Sequence, residues 1–245
     1  SDLMTVGGQV ANPVGNVLLF SSGAMTTQSG SMVSSSGNLG LFGGGLTTNG
    51  AVSAGGFITL DADVFKLTVN GSVSGSGPQV NLYAGDMDIH AVTGLVSNPA
   101  GIVEVNNRSA SAMTLGNGAS GFGLSNSDLG RISAATLTIN ASNASVANPA
   151  TIDGLVNLTG AGAPGTVNLN AASLAVNGSF NTSALLNVTT TGTVNQQSGA
   201  AVSASALNVS AAGGINLPAI GNSFGTLTVR DRKSTRLNSS HGYIS

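Results

Sequence analysis

The segment that decides the fold is residues 166–229, TVNLNAASLAVNGSFNTSALLNVTTTGTVNQQSGAAVSASALNVSAAGGINLPAIGNSFGTLTV. Within it, a tripeptide of one apolar, one polar and one apolar residue returns about every 20 residues. Its copies are Val-Asn-Leu from Val167, Leu-Asn-Val from Leu186, Leu-Asn-Val from Leu207 and Leu-Thr-Val from Leu227, at steps of 19, 21 and 20 residues. Self-similarity at such a period is typical of a solenoid, in which each repeat packs on its neighbours.

A second series of tripeptides is interleaved with the first. Its members begin at Leu137, Val156, Leu174, Val194 and Ile215, at steps of 19, 18, 20 and 21 residues. Apolar residues at positions i and i+2 are typical of a strand that buries one face, and no window shows a capped helical pattern. Two series that share one period therefore predict two faces of a single coil.

Residues that suit tight corners lie between the tripeptides. Asn177 and Gly178 form one such pair, and both residue types tolerate the left-handed backbone that corners require. An antiparallel sandwich would not produce two interleaved series with one period. The sequence thus predicts an all-β parallel β-helix with about 20 residues per turn and little or no helix. Asn168, Asn187 and Asn208 occupy equivalent positions and are expected to stack their side-chain amides.

The composition fits a narrow core under an uncharged surface. Hydrophobic residues make up 41% of the chain and aromatic residues 4%, with 36 Gly and no Trp, so Val, Leu, Ile and Ala must fill the interior. Charged residues make up 7%, against roughly 25% in ordinary globular domains. The absence of Cys leaves no disulfide and no thiolate metal site. Because the first residue is not Met, we interpret the chain as an internal piece of a longer protein.

The charge distribution argues against nucleic acid as a partner. Residues 1–229 carry three basic and eight acidic side chains, a balance of −5, whereas nucleic-acid-binding proteins present a basic stripe. Four of the seven basic residues follow Val229, in a segment where the period stops and the composition changes. Residues 231–245 resemble translated sequencing-adapter read-through. We therefore predict a non-native or disordered tail there, and its His241 is not a site candidate.

The remaining chain is expected to form one β-helical segment over residues 1–230, irregular in 1–130 and regular in 131–230. The tripeptides of the first half are unevenly spaced and begin at Ile58, Leu67, Val80, Met87 and Val103. Residues 21–50 and 116–131 are the richest in Gly and Ser, so we expect protruding loops or imperfect turns there.

The turns from Leu174 to Ser179 and from Gly221 to Val229 resemble the repeat region of filamentous haemagglutinin-like adhesins, the large exoproteins of bacterial two-partner secretion. The resemblance spans roughly residues 50–230. It implies a right-handed parallel β-helix that an outer-membrane partner secretes to the cell surface or the medium. It further implies a non-catalytic stalk, without cofactor, that adheres to host-cell, matrix or neighbouring-cell surfaces. The chain lacks that family's recognisable secretion domain.

The sharpest local cluster of polar side chains is Asp86, Asp88 and His90. On a strand these three residues project from one face, so they are weak candidates for binding a divalent cation. The alternative is a solvated outer face above an inward Met87 and Ile89. Side chains at i and i+4 on a flat strand lie about 13 Å apart, so one ion cannot reach both Asp86 and His90 unless the strand bends.

A carbohydrate-active β-helix enzyme, of the polysaccharide lyase or glycoside hydrolase type, is the alternative to a stalk. Asp61 and Asp63 repeat the acidic pattern, and a neighbouring turn could bring them beside Asp86 and Asp88. The basic residues available before the tail are Lys66, Arg108 and Arg131. A third class, an ice- or crystal-binding solenoid, would need a flat array of Thr, whereas the outward positions of the two series are mixed Asn, Thr and Ala.

Overall fold

A computed structural model describes residues 2–90, 92–117, 121–142, 147–218 and 221–231. The chain is nearly all β, and its parallel strands stack as a β-solenoid of about 10 turns, roughly 21 residues apart. This confirms the predicted fold class. Residues 232–245, which include His241, lie outside the described residues, so the predicted tail stays a prediction.

The strands are numbered in chain order, and each turn contributes them to three faces. Face 1 begins with a five-stranded sheet: β1 (Met4–Val6), β4 (Met25–Thr27), β7 (Leu46–Thr48), β10 (Lys66–Val69) and β13 (Asp86–Ile89). It continues in a six-stranded sheet: β16 (Phe122–Ser125), β15 (Met113–Gly116), β18 (Ala150–Asp153), β21 (Leu174–Val176), β24 (Val194–Gln196) and β27 (Ile215–Asn216).

Faces 2 and 3 share one 14-stranded sheet, except for the last four strands of face 2. Face 2 begins with β2 (Gln9–Asn12), β5 (Met32–Ser35), β8 (Ala51–Ala54) and β11 (Ser72–Gly75). It ends in a four-stranded sheet of β19 (Leu155–Leu158), β22 (Ser179–Thr182), β25 (Ala201–Ala204) and β28 (Ser223–Phe224). Face 3 contains β3 (Val17–Phe20), β6 (Leu39–Phe42), β9 (Ile58–Asp61), β12 (Gln79–Ala84), β20 (Thr166–Ala171), β23 (Leu185–Thr190), β26 (Ala206–Ala211) and β29 (Leu227–Asp231).

Two long strands run around the corner between faces 2 and 3. They are β14 (Leu95–Asn107) and β17 (Ile132–Asn140), which pair in parallel along both faces. The first part of β14 pairs with β11 and the second part with β12. A register shift between Asn98 and Ile102 accommodates the corner. A single helical turn, α1 (Asn126–Leu129), precedes β17.

The register confirms the first series of tripeptides and corrects the second. Val167, Leu186, Leu207 and Leu227 are consecutive partners on face 3. Leu137 belongs to the same column, because it pairs with Val167. The remaining members of the second series divide between two faces: Val156 lies on face 2, and Leu174, Val194 and Ile215 lie on face 1. The predicted two faces are therefore three.

Face 2 was missed because most of its strands carry only one large inward apolar residue, with β19, which carries Val156 and Leu158, as the exception. The inward pair is Val52 and Ala54 in β8, Val73 and Gly75 in β11, and Val202 and Ala204 in β25. The second position abuts the next corner, since a Cβ on Gly75 would stand 2.8 Å from Cγ2 of Val80. A small residue there weakens the apolar, polar, apolar signature.

The expected loops at residues 21–50 are absent, and that prediction was wrong. The segment forms β4, β5, β6 and β7 with continuous parallel pairing. The uneven tripeptides of the first half also have a simple cause, because Ile58, Val80 and Val103 lie on face 3 whereas Leu67 and Met87 lie on face 1. The widest steps between partners on face 3 are from Val103 to Leu137 and from Leu137 to Val167.

One continuous apolar core of mainly Val, Leu, Ile and Ala runs through the coil, and Phe122 and Phe180 are its largest members. Side-chain amides outside it form the predicted ladder. Asn187 Nδ2 donates to Asn168 Oδ1 at 2.8 Å, and Asn208 Nδ2 donates to Asn187 Oδ1 at 2.9 Å. The described residues include no helix with the length and apolar character that crossing a membrane requires.

Candidate functional site

Asp86 and Asp88 lie on the outer side of β13, while Met87 and Ile89 point into the core. Lys66, the partner of Asp86 in the preceding turn, contacts both carboxylates. Its Nζ stands 3.2 Å from Asp88 Oδ2 and 3.9 Å from Asp86 Oδ2, and all three side chains are about half exposed. The lysine ammonium thus occupies the place beside these carboxylates where a cation would bind.

His90 does not complete a ligand set with the two aspartates. Its Nδ1 lies 3.0 Å from Oγ1 of Thr93, within the corner that follows β13. Among the residues that the structure describes, no group of three or more His, Cys, Asp or Glu side chains is arranged to hold a metal ion. A divalent-cation site at Asp86, Asp88 and His90 stays a weak prediction.

Asp61 and Asp63 lie on the other side of the corner between faces 3 and 1, one turn before Asp86. Arg108 Nη2 donates to Asp61 Oδ2 at 2.7 Å across two turns of the coil. Asp61 Oδ1 accepts from the backbone N–H of Asp63 at 2.9 Å, and Asp63 adopts a left-handed backbone with φ of 56°. Asp61 is therefore fixed by two donors, whereas the carboxylate of Asp63 is exposed to solvent.

The two acidic pairs are separated by the geometry of the coil. Asp61 ends β9 and has Tyr83 as its partner in the next turn, whereas Asp86 begins β13 and has Lys66 as its partner. The corner between faces 3 and 1 lies between the two pairs. Each pair consequently has its own cation, and the structure does not assemble the four carboxylates into one group.

The guanidinium of Arg108 packs on the face of the Tyr83 ring. The guanidinium carbon of Arg108 stands 4.5 Å from the centre of the Tyr83 ring, within cation–π range. Partial burial raises the pKa of the Tyr83 phenol, and the Glu104 carboxylate raises it further, against an opposing effect of Arg108. The phenol is therefore neutral at physiological pH, and the ring presents its face to the cation.

A shallow open groove of about 300 Å³ lies along this corner. Its lining residues are Ser21, Ser22, Phe42, Gly43, Gly44, Asp61, Asp63, Phe65 and Arg108. The ring of Phe65 is 55% exposed and lies beside Gly44, which has no side chain to displace it. Phe42 stacks on Phe20 in the preceding turn, with ring centres 4.7 Å apart. The groove therefore combines aromatic surface with both signs of charge.

The third basic residue has a structural role. Arg131 Nε donates to the carbonyl of Gly94 at 2.5 Å, and its Nη2 donates to the carbonyl of Val92 at 3.3 Å. Arg131 thereby connects the start of β17 to the corner that precedes β14. It does not contribute a cation to either acidic pair.

The buried carboxylate at α1 was missed in the sequence. Asp128 is 8% exposed, and its Oδ1 accepts from the backbone N–H of Ile89 at 2.8 Å. Its Oδ2 accepts from the backbone N–H of Ser125 at 2.7 Å and from the Ser125 hydroxyl at 2.5 Å. Asp128 thus satisfies a donor of β13 at the boundary between the two sheets of face 1. A capping box of Ser125 with an acidic third residue was the available signal.

A column of Thr on face 1 was also missed. Thr5, Thr26, Thr47 and Thr68 are partners in four consecutive turns, and Asp88 follows them. The column is one residue wide, because the outward positions beside it hold Ala24, Gly45 and Lys66 on one side and Gln28, Asn49 and Asn70 on the other. It does not form the flat two-dimensional array that an ice-binding face requires.

Comparisons of the chain with protein-family models, with curated proteins and with solved structures return no match. The fold and the local geometry therefore carry the functional argument.

Proposed function

We propose that this chain is a non-catalytic, structural and adhesive segment of a large bacterial surface or secreted adhesin. In this proposal the coil acts as a stiff spacer that presents its corners to host-cell, matrix or neighbouring-cell surfaces. An outer-membrane partner would secrete the parent protein, and the segment would work outside the cell.

The observation that carries the proposal is the uninterrupted stacking of about 10 turns around one core. At about 4.8 Å per turn the coil is on the order of 50 Å long. Its outer positions are mainly Ser, Thr, Asn and Gly, and the described ion pairs connect turns of the coil, Lys66 with the next turn and Asp61 with Arg108 two turns on. Such a surface suits a spacer, whose function depends on length and rigidity.

The carbohydrate-active enzyme is the second candidate, and Asp61 with Asp63 is the feature that favours it. Glycoside hydrolases use two carboxyl groups, one of them as a proton donor and the other as a nucleophile or base. Asp61 is held by Arg108 and by the backbone of Asp63, which leaves one exposed carboxylate in the groove. This arrangement favours binding over hydrolysis.

Two measurements test the proposal. Beads coated with the purified segment should attach to epithelial cells, matrix or bacterial cells more than albumin-coated beads do, and attachment to none of them would contradict the adhesive role. Incubation with a panel of polysaccharides should release no new reducing ends and no unsaturated sugars. Release that is lost in Asp63→Asn would support the enzyme instead.

A one-turn deletion tests the spacer role separately. Residues 185–205 form one complete turn, because Leu185 and Ala206 are register partners. Their removal should shorten the rod by about 4.8 Å while preserving its circular dichroism and bead attachment. A function that depends on a unique cleft within the deleted turn would be lost, and an unfolded product would contradict modular stacking.

A further inference from the structure

The corner groove concentrates aromatic side chains. The chain has seven Phe and two Tyr, and four of these nine side chains, Phe20, Phe42, Phe65 and Tyr83, lie in or beside the groove. Phe20 and Phe65 are 66% and 55% exposed. Exposed aromatic residues grouped in this way mark binding surfaces.

The polar groups of the groove select the charge of a ligand. Arg108 and Asp63 line the same groove with opposite charges. Asp61 also lines the groove and pairs with Arg108 at 2.7 Å, so the exposed Asp63 leaves one net negative charge there, which repels an anion. A neutral ligand escapes this repulsion, and its hydroxyl groups can donate to Asp63 and accept from Arg108.

From these groups we infer that the groove binds a neutral saccharide ring. The volume of about 300 Å³ lies at the lower end of the ~300–1,000 Å³ range of small-ligand sites, which suits a single ring. The apolar face of the sugar packs on Phe65, and its hydroxyls bond with Asp63, Arg108 and Ser22. The inference is independent of the adhesive role proposed above, since binding is measurable on the isolated chain.

The probes are the methyl glycosides of glucose, galactose, mannose and N-acetylglucosamine. They are titrated separately at millimolar concentration into the ¹⁵N-labelled chain, and backbone amide signals are followed by NMR. At least one glycoside should shift the amides of Gly43, Gly44 and Asp63 saturably. Butylammonium and acetate serve as the cationic and anionic probes. Acetate should produce no saturable shift at these amides, and butylammonium should bind more weakly than the glycoside.

Two substitutions and a matched control assign the site. Phe65→Ala should weaken the glycoside about tenfold, through loss of the aromatic contact. Asp63→Asn should also weaken it, and Asn tolerates the left-handed backbone at this position. Phe57→Ala removes an aromatic ring of similar exposure, 43%, outside the groove and should leave binding unchanged.

The inference is overturned if no glycoside gives saturable shifts at the groove. It is equally overturned if Phe65→Ala binds as well as the parent chain, or if butylammonium or acetate binds there and the glycosides do not. Unchanged NMR spectra of both variants away from the groove establish that they fold. The bead-attachment outcome does not affect this result, so failure of one proposal is distinguishable from failure of the other.

Discussion

Replacing Asp128 with alanine should destabilise the coil at the boundary between the two sheets of face 1. The substitution leaves the backbone N–H of Ile89 without an acceptor in a position where Ile89 is 1% exposed. A buried donor without an acceptor costs ~1–3 kcal/mol, and the half-buried Ser125 N–H adds a smaller cost because water reaches it. We expect the free energy of unfolding to fall by ~2–4 kcal/mol.

The assay combines urea denaturation with hydrogen exchange, because a solenoid opens turn by turn and one global transition does not locate the damage. Exchange of the Ile89 amide should accelerate far more than that of Val209, which lies several turns away. Asp128→Asn keeps one acceptor oxygen and should lie between alanine and the parent chain. Asp153→Ala, at a partly buried residue, is the control and should change stability by about 0.5 kcal/mol or less.

The reasoning is refuted if Asp128→Ala unfolds within about 0.5 kcal/mol of the parent chain while the Ile89 amide stays protected. That result would mean that another acceptor replaces the carboxylate.

Three further predictions concern contacts between turns. Gly178→Ala should lower the free energy of unfolding by ~1–3 kcal/mol, because its Cβ would stand 1.9 Å from the carbonyl oxygen of Gly154. Gly160→Ala is the control and should be neutral in urea denaturation, because its Cβ would meet nothing within 4 Å. Asn187→Ala removes two ladder hydrogen bonds and should cost ~1–2 kcal/mol by the same assay, and an unchanged midpoint would show that water replaces both bonds. Tyr83 has a raised pKa in the folded chain, so its protonated form stabilises the fold at neutral pH, and that contribution is lost as pH rises above about 10. The melting temperature should therefore fall less above pH 10 in Tyr83→Phe than in the parent chain, and equal falls would exclude this ionisation as the cause.

The period and the column of Val167, Leu186, Leu207 and Leu227 could be predicted from the sequence because these strands carry two large inward residues and equal spacing. Face 2 could not, because in most of its strands the second inward position holds a small or polar residue, with Leu158 of β19 as the exception. Strands on different faces can show the same residue spacing when the turns have similar lengths. Leu137 and Val156 therefore match the spacing of the second series, although Leu137 lies on face 3, Val156 on face 2 and the rest of the series on face 1. Equal spacing identifies a coil more reliably than it assigns a strand to a face.

The candidate site was predictable only in part. The alternation in β13 correctly placed Met87 and Ile89 inside and Asp86 and Asp88 outside. The partners of these carboxylates depend on register across a corner. The 25-residue gap from Asp61 to Asp86 does not reveal that residues 62–65 form the corner between faces 3 and 1. The contact between Asp61 and Arg108 spans 47 residues and depends on two intervening turns.

The direction of the backbone hydrogen bonds determines how the coil responds to an applied force. The bonds that join successive turns run along the rod axis, so tension on the two chain ends passes through every turn, and a terminal turn, which packs on one neighbour only, detaches first. Turns then detach singly, and each releases roughly 21 residues, or about 70 Å of extended chain. A rod of this construction lengthens in steps at nearly constant load, and in the proposed adhesive role this would let an attached cell yield to shear without losing its hold.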